Sequence, residues 1–295
     1  MTIVELIDAG AKQLAQAGVS FGHGTNNAFD EAAWLVLWQL GLPLDSLLEG
    51  PDSVSNRPVA LAEQGQIATL FRARIDTRQP AAYLTHEAWL QGVPFYVDER
   101  AIVPRSLIAE LLADGGIDPW LGAHTHRVLD LCTGNASLAV LAAMTYPEVS
   151  VDAADISTDA LEVARINVDR HQLQHRITLL PSDGLAQLDG LYDLILCNPP
   201  YVNTHSMAAL PPEYQAEPAL ALAGGADGMD FIRQMLRDAP AHLSEYGVLV
   251  LEIGHEREHF EAAFPHLEVV WLETSAGEDQ VLLVTRESLD NHDYP

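Results

Sequence analysis

The sequence predicts an α/β protein in which a helical N-terminal part precedes a doubly wound, mostly parallel sheet. From residue 127 onward, short apolar runs alternate with helical stretches, and such alternation builds parallel sheets that helices cover on both faces. Residues 1–80 instead show apolar side chains at helical spacing, and prolines separate these segments. The chain is therefore expected to contain two parts of different fold class.

The N-terminal part is predicted to hold three helices, one near the start of the chain, one within 25–40 and one within 60–77. The pattern of residues 89–97 then predicts a short β-hairpin that turns at Gly92. A further helix is expected over about 106–112. These elements would connect the helical part to the sheet.

The C-terminal part is predicted to hold seven strands with helices between them. The strands are expected at 127–132, 149–155, 177–181, 192–197, 248–253, 267–272 and 281–285, and the helices at 137–144, 158–171, 228–242 and 256–264. Only a short turn at Gly277 separates the last two strands. These two should pair antiparallel, because a parallel crossover needs a dozen or more residues.

The charge of the chain limits its partners. Its 295 residues include 42 acids and 15 bases, which gives a formal net charge of −27. This balance argues against direct nucleic-acid binding, which needs a basic surface, and against docking on anionic membranes. It favours a basic protein partner, since opposite charge speeds encounter. The alternative is an acidic surface that serves salt adaptation or solubility.

The cysteines and the N-terminal residues indicate the cellular compartment in which the protein is expected. Cys132 and Cys197 are far apart in sequence and form no disulfide framework, which favours a reducing environment. Glu5 and Asp8 stand where a secretory signal would carry basic residues. No apolar run approaches the length of a membrane helix. A cytoplasmic protein is expected.

A nucleoside site is predicted at the end of the first C-terminal strand. Gly134 lies in the loop that follows this strand, and Asp155 ends the next strand 21 residues later. A carboxylate at that point can accept hydrogen bonds from ribose hydroxyls. A full glycine fingerprint would also place glycine at positions 132 and 136, so an ordinary strand-to-helix turn remains the alternative.

The segment Asn198-Pro199-Pro200-Tyr201 ends the fourth strand of the predicted sheet. Two prolines fix the backbone and remove two N–H donors, which leaves a rigid corner with an amide, carbonyl acceptors and an aromatic ring. Such a corner suits a planar NH₂ group, although a purely structural turn is possible. Residues 202–227 follow without clear periodicity, and a long irregular segment in this place is interpreted as a lid over the substrate.

Together, Asp130 followed by Gly134, the strand-end Asp155 and the corner at 198–201 resemble the class I methyltransferases that use S-adenosyl-L-methionine. The corner narrows the resemblance to enzymes that methylate planar nitrogens in DNA adenine, RNA guanine or protein glutamine. Segments 80–85, 95–100, 103–106, 217–218 and 224–228, together with Leu222, are similar to the protein-(glutamine-N) methyltransferases. Residues 104–106 and 130–134 most resemble the branch that methylates a glutamine of the third protein of the large ribosomal subunit.

The resemblance implies a Rossmann-like sheet of seven strands with the last strand antiparallel. It implies a helical substrate-recognition domain at 1–85, a hairpin linker at 86–105 and the methyltransferase domain at 106–295. The partner would be a basic ribosomal protein.

The resemblance also implies site residues. The cofactor, S-adenosyl-L-methionine, would be bound by Asp130, Cys132, Thr133, Gly134, Asn135, Ala136, Asp155, Ile156, Asp183, Gly184 and Asn198. The substrate glutamine would be held by Asn198, Pro199, Pro200 and Tyr201, with Asn198, Pro199 and Tyr201 serving catalysis. The family usually has Ser-Gly where this chain has Asn135-Ala136, so the Ala136 methyl group is expected to crowd the methionine end of the cofactor.

Four alternatives remain open at this stage. One is the branch of the same family that methylates peptide-chain release factors. A second is a nucleic-acid amino-group methyltransferase, which shares the corner but conflicts with the charge. A third is a non-catalytic cofactor-binding assembly protein. The fourth is a zinc peptidase, because His255-Glu256-Arg257-Glu258-His259 matches a zinc-binding helix pattern; the prediction is that no metal is bound.

Overall fold

A computed structural model describes residues 1–292 of the chain. Four helices form the N-terminal part of the described chain: α1 (Ile3–Ala17), α2 (Ala28–Gln39), α3 (Leu61–Thr77) and the short α4 (Ala81–Thr85). The three predicted helices are thereby confirmed. Helix α1 begins where Thr2 and Glu5 cap each other's backbone N–H groups, and it ends at Gly18, whose φ of 61° is left-handed.

The predicted hairpin is also confirmed. Strands β1 (Ala88–Leu90) and β2 (Val93–Phe95) pair antiparallel. The turn residues Gln91 and Gly92 both have positive φ, as a two-residue hairpin turn of the right twist requires. Helix α5 (Ile108–Asp114) follows and begins two residues later than predicted.

The sheet of the described chain has seven strands: β3 (Arg127–Leu131), β4 (Ser150–Asp155), β5 (Ile177–Pro181), β6 (Tyr192–Cys197), β7 (Leu243–Glu252), β8 (Val270–Thr274) and β9 (Gly277–Thr285). Their spatial order is β5-β4-β3-β6-β7-β9-β8. Strand β9 lies between β7 and β8 and runs antiparallel to both. The predicted fold class is confirmed, and so is the antiparallel pairing of the last two strands.

Helices connect and follow the strands of this sheet. Five of them are α6 (Ser137–Thr145), α7 (Thr158–Arg170), α10 (Asp230–Asp238), α11 (Arg257–Ala263) and α12 (Arg286–Asp290). Helix α10 ends four residues before the predicted boundary, because Pro240 lies in the 3₁₀ turn that follows it. No helix among residues 1–292 is long and apolar enough to cross a membrane.

Residues 202–227, called the lid segment from here on, are not irregular as predicted. They form α8 (Thr204–Ala209), α9 (Pro212–Gln215) and a 3₁₀ turn at Ala219–Ala221. Each piece is too short to show a helical repeat in sequence. Asn203 begins α8 by accepting a hydrogen bond from the Ser206 N–H, and prolines separate the pieces.

Candidate active site

The site lies where the order of strands reverses. From β3 the chain continues to β4 and β5 on one side of the sheet, whereas β6 pairs with the other side of β3. The carboxyl ends of parallel strands meet at one edge, and the crevice at such a reversal is the usual ligand site of an open α/β sheet. The glycine loop, Asp155 and the corner at 198–201 all follow strand ends at this edge.

Asp155 holds the glycine loop in place. One carboxylate oxygen accepts the Gly134 N–H at 2.9 Å, and the other accepts the Ser157 N–H at 2.8 Å. Burial raises the pKa of Asp155, while these backbone hydrogen bonds oppose the rise. The Asp155 carboxylate thus fixes the backbone of the glycine loop, and the same residue lines the cavity next to that loop.

That cavity, called the cofactor cavity, encloses about 190 Å³. Its wall is largely apolar, with Leu131, Ile156, Leu220 and Phe231 among the lining residues. A Cβ built on Gly184 would lie 3.6 Å from the Phe231 ring, so the chain passes close to this ring. An apolar slot with a carboxylate at one side fits a nucleoside, whose flat base and ribose hydroxyls need these two surfaces.

Seven of the eleven predicted cofactor residues line this cavity, namely Cys132, Gly134, Asp155, Ile156, Asp183, Gly184 and Asn198. The other four, Asp130, Thr133, Asn135 and Ala136, are buried and are not among the lining residues. Asp130 lies near this loop and the other three belong to it, and their hydrogen bonds and burial show that they shape the loop from the protein interior.

Asp130 and its neighbours shape the loop from within. One Asp130 oxygen accepts the Thr133 hydroxyl at 2.5 Å and the Ala139 N–H at 2.9 Å. Burial raises the pKa of Asp130 to about 7. The Asn135 side chain accepts the Ser137 N–H at 3.2 Å. These bonds fix the turn between β3 and α6.

Ala136 is fully buried in the apolar core, so its methyl group does not face the cofactor cavity. The predicted crowding of the methionine end therefore has no geometric basis. The unusual feature of Ala136 is its backbone, with φ at 64° in the left-handed region. This conformation favours glycine, so the alanine here adopts a backbone that glycine would adopt with less strain.

Asn198 stands between two cavities. A second cavity of about 270 Å³, called the acceptor cavity, is lined by Pro199, Tyr201, Arg105, Tyr214 and other residues. The two cavities share Ile102, Asn198 and Ala221. Within the described residues the half-buried Asn198 side chain has no hydrogen-bond partner. Its amide is therefore free to bind a group placed at the junction.

Tyr201 is held in a tight seat. A Cβ on Gly254 would approach the Tyr201 ring to 2.5 Å, and one on Gly228 would approach the Tyr201 carbonyl oxygen to 2.3 Å. Gly224 would likewise clash with the Tyr201 backbone, at 2.7 Å. Sequence reasoning assigned no role to Gly254. The three glycines are needed because the lid segment, the residue that follows it and the turn after β7 all pass close to this tyrosine.

Glu252 is a buried carboxylate that sequence reasoning missed. Its oxygens accept the Ser106 hydroxyl at 2.5 Å and the Leu107 N–H at 2.9 Å, and the Tyr201 hydroxyl lies 3.4 Å away. Burial raises the pKa of Glu252. A glutamate at the end of the otherwise apolar run of β7 was the signal for it.

Two buried ion networks join the lid segment to the rest of the chain. In the first, Glu213 lies 2.9 Å from Arg78 and 3.4 Å from Arg74, and Arg74 donates to Glu31 at 2.8 Å. Glu213 also accepts a hydrogen bond from the Ser20 N–H at 3.1 Å. This network ties the lid segment to helices α2 and α3.

In the second network, both oxygens of Glu217 accept hydrogen bonds from the Arg105 guanidinium, at 2.7 and 2.8 Å. Glu217 also accepts the Val103 N–H at 2.9 Å, and His23 lies 3.4 Å away. Arg105 packs over the Tyr214 ring, with its guanidinium carbon 5.5 Å from the ring centre. The lining of the acceptor cavity thus depends on contacts between distant parts of the sequence.

The zinc pattern does not form a zinc site in the described chain. His255 precedes α11, whereas His259 lies within it, so the two imidazoles do not share one helix face. His259 instead contacts the Glu256 carboxylate at 2.5 Å. No group of three or more metal-ligating side chains occurs among residues 1–292.

Comparison with known proteins places these features in a family. Residues 110–210 match the family model described as "Methyltransferase small domain". The catalytic domain of hMettl16, solved with the MAT2A 3'UTR hairpin 1, is 15% identical with a TM-score of 0.55, and the match covers 89% of this chain and 93% of that chain. This likeness shows the methyltransferase fold alone.

Curated relatives match over nearly the whole chain. The ribosomal protein uL3 glutamine methyltransferase of Bordetella pertussis is 53% identical over 98% of this chain and 96% of its own length. The proteins of the same description from Neisseria meningitidis serogroup A and Bradyrhizobium diazoefficiens are 49% and 45% identical, over 98% of this chain and 94% and 92% of their own lengths. With this identity over almost its full length, the chain belongs to the family of ribosomal protein uL3 glutamine methyltransferases.

Proposed function

We propose that this enzyme transfers a methyl group from S-adenosyl-L-methionine to the side-chain amide nitrogen of a glutamine in ribosomal protein uL3. The observation that carries the proposal is the position of Asn198, which lines both the cofactor cavity and the acceptor cavity. A side chain at this junction can touch the donor and the acceptor at once. The curated relatives support uL3 as the protein substrate.

The residues of the cofactor cavity fit the cofactor. Asp155 would accept the ribose hydroxyls with the acceptor capacity that Gly134 and Ser157 leave free. The slot beside Gly184 and Phe231 would hold the adenine ring. The bound cofactor supplies a sulfonium methyl group, which is electrophilic.

The difficulty of the reaction lies in the acceptor. An amide nitrogen is a weak nucleophile because its lone pair is delocalised, as the rotational barrier of about 18–20 kcal/mol shows. The Asn198 side-chain oxygen and the Pro199 carbonyl can each accept one N–H of the glutamine amide. Held in this way, the nitrogen is oriented toward the junction of the cavities. The same acceptors stabilise positive charge as it develops on nitrogen.

The step balances without a covalent enzyme intermediate. The nitrogen lone pair forms the new N–C bond, the C–S bond breaks, and the electron pair stays on sulfur. The product nitrogen then loses one N–H proton to water, because its positive charge makes it strongly acidic. Tyr201, held by its three glycine contacts, would pack against the planar amide.

The division of labour between the two parts of the chain follows. Residues 1–85 are proposed to recognise the substrate protein, 86–105 to act as the linker, and 106–295 to carry methyl transfer. The sheet is generic to many substrates, whereas the N-terminal helices are joined to the acceptor cavity through Glu213 and Glu217. The net charge of −27 suits a basic ribosomal protein.

The experiment is single-turnover methylation of purified uL3, followed by intact-mass analysis. The wild-type enzyme should add the mass of one methyl group to uL3. Asn198→Ala should lower the transfer rate by about 10²–10³, the usual effect of losing one transition-state hydrogen bond. The affinity of this variant for the cofactor should change little, because the main polar contact to the cofactor is the one between its ribose and Asp155.

The matched control is Asn56→Ala, which changes an exposed asparagine of the N-terminal part and should leave the rate unchanged. A near-normal rate for Asn198→Ala would reject the mechanism. Methylation of a release factor in place of uL3 would reject the assigned substrate and leave the chemistry standing.

A further inference from the structure

A groove outside the active site has no role in the reaction just described. It is called the Trp groove and is lined by Gly24, Thr25, Trp34, Pro43, Leu44, Asp45, Trp89 and Gly92. It encloses about 540 Å³, and it shares none of these residues with the cofactor or acceptor cavity. It lies between the N-terminal helices and the β1–β2 hairpin.

The two tryptophans of the groove differ in their exposure and in the hydrogen bonding of their indole N–H groups. Trp89 is 43% exposed, yet its indole N–H donates to Glu87 at 2.9 Å. Trp34 is only 8% exposed, and its indole N–H has no partner among the described residues. The Trp34 N–H is enclosed by the protein, so the ring surface that the groove offers to a ligand is that of the exposed Trp89.

The charged residues at the groove indicate the sign of the charge on its ligand. Asp45 is the one charged residue among those that line the groove, and it is exposed. Trp89 also lies beside Glu87, one oxygen of which accepts the indole N–H while the other lies 3.6 Å from Arg170. An exposed indole ring next to a carboxylate is a favourable site for a lysine or arginine side chain.

The groove is joined to the acceptor cavity by one loop. Gly24 and Thr25 line the Trp groove. The adjacent His23 contacts the Tyr214 ring, with centroids 4.3 Å apart, and lies 3.4 Å from Glu217. Tyr214 lines the acceptor cavity. A protein whose glutamine enters that cavity could thus reach the groove with a neighbouring part of its surface.

From these features we propose that the Trp groove is a second substrate-binding site, which holds a basic, extended segment of the substrate protein away from the methylated glutamine. A lysine or arginine of this segment packs on the exposed Trp89 ring, in the groove that Asp45 also lines. This inference rests on the proposed function, because it takes the same protein as substrate. The groove contributes affinity for the whole protein and does not act on the methyl transfer itself.

The test compares full-length uL3 with a short peptide that spans only its methylated glutamine. Trp89→Ala and Asp45→Asn should each raise the KM and the Kd for full-length uL3 about five- to tenfold, the loss expected when one partly desolvated cation contact is removed. The kcat on uL3 and both kinetic constants on the peptide should stay unchanged.

The matched control is Tyr246→Ala, an aromatic that is 67% exposed far along the chain and outside the groove. It should bind uL3 as the wild type does. If the wild type methylates uL3 but Trp89→Ala and Asp45→Asn match it in Kd, the groove proposal is wrong and the proposed function stands. If the wild type fails to methylate uL3, both fall. An equal rise in the KM for the short peptide would also overturn the groove proposal, since it would show that the substitutions disturb the active site.

Discussion

Glu217 offers the sharpest test of how the acceptor cavity is held together. This residue is buried in the lid segment and accepts hydrogen bonds from the Arg105 guanidinium and the Val103 N–H. Glu217→Gln keeps the shape of the side chain and removes its charge. We expect the variant to be less stable and less active, because the link between the lid segment and Arg105 is weakened.

The size of the effect follows from the pKa of Glu217. Burial alone would raise this pKa, but the charge of Arg105 and its hydrogen bonds outweigh burial and lower it from 4.5 to about 2. A difference of this size corresponds to about 3 kcal/mol of folding free energy. Because the pKa of the folded state is depressed, this contribution is fully present above about pH 4.5 and is lost as the pH falls toward 2.

Urea unfolding of the wild type and of Glu217→Gln at pH 7, 5 and 3.5 measures this directly. The difference in unfolding free energy should be about 3 kcal/mol at pH 7 and 5, and smaller at pH 3.5. Glu245→Gln, at an exposed carboxylate, is the control and should lie within about 0.5 kcal/mol of the wild type. A loss below about 1 kcal/mol at pH 7, or a gap that does not narrow at pH 3.5, would refute the reasoning.

Three further outcomes are expected. Asp155→Ala should weaken S-adenosyl-L-methionine binding at least about tenfold in calorimetry, because it removes the ribose acceptor and frees the Gly134 N–H; unchanged affinity would contradict the ribose assignment. Ala136→Gly should leave cofactor affinity within about twofold, since its methyl group lies in the core, and a large gain would restore the crowding explanation. The KM for uL3 should rise between low and physiological salt, as attraction between an acidic enzyme and a basic protein requires; a salt-independent KM would count against the charge argument.

The fold and one half of the site follow from local sequence. The apolar centre of each strand is visible in the sequence. Strands β7 and β9 nevertheless begin five and four residues before their predicted starts at 248 and 281, because their first residues are mostly polar. The corner at 198–201 is visible because two prolines fix it whatever lies around them. Asp155 could be placed beside Gly134 because parallel neighbours β3 and β4 bring their ends together.

The other half depends on contacts that no local pattern carries. Glu217 and Arg105 are 112 residues apart, and Glu213 and Arg74 are 139 apart. Glu217 lies in a segment singled out in the sequence, but its partner Arg105 becomes known only from the fold. The buried residues of this loop show the reverse error, because Asp130 and Ala136 lie within two residues of cavity residues in sequence while their side chains face the protein interior. Sequence adjacency in a tight turn does not determine which side chains face the ligand.

The two ion networks have a consequence for motion. Glu213 and Glu217 fasten the lid segment to α2, α3 and the loop at His23, so it cannot swing open alone without exposing buried charges. Separating such charges is costly. The lid segment and the N-terminal helices should therefore open and unfold as one cooperative unit. Hydrogen exchange in α9 would then follow the protection of α3 more closely than that of the central sheet.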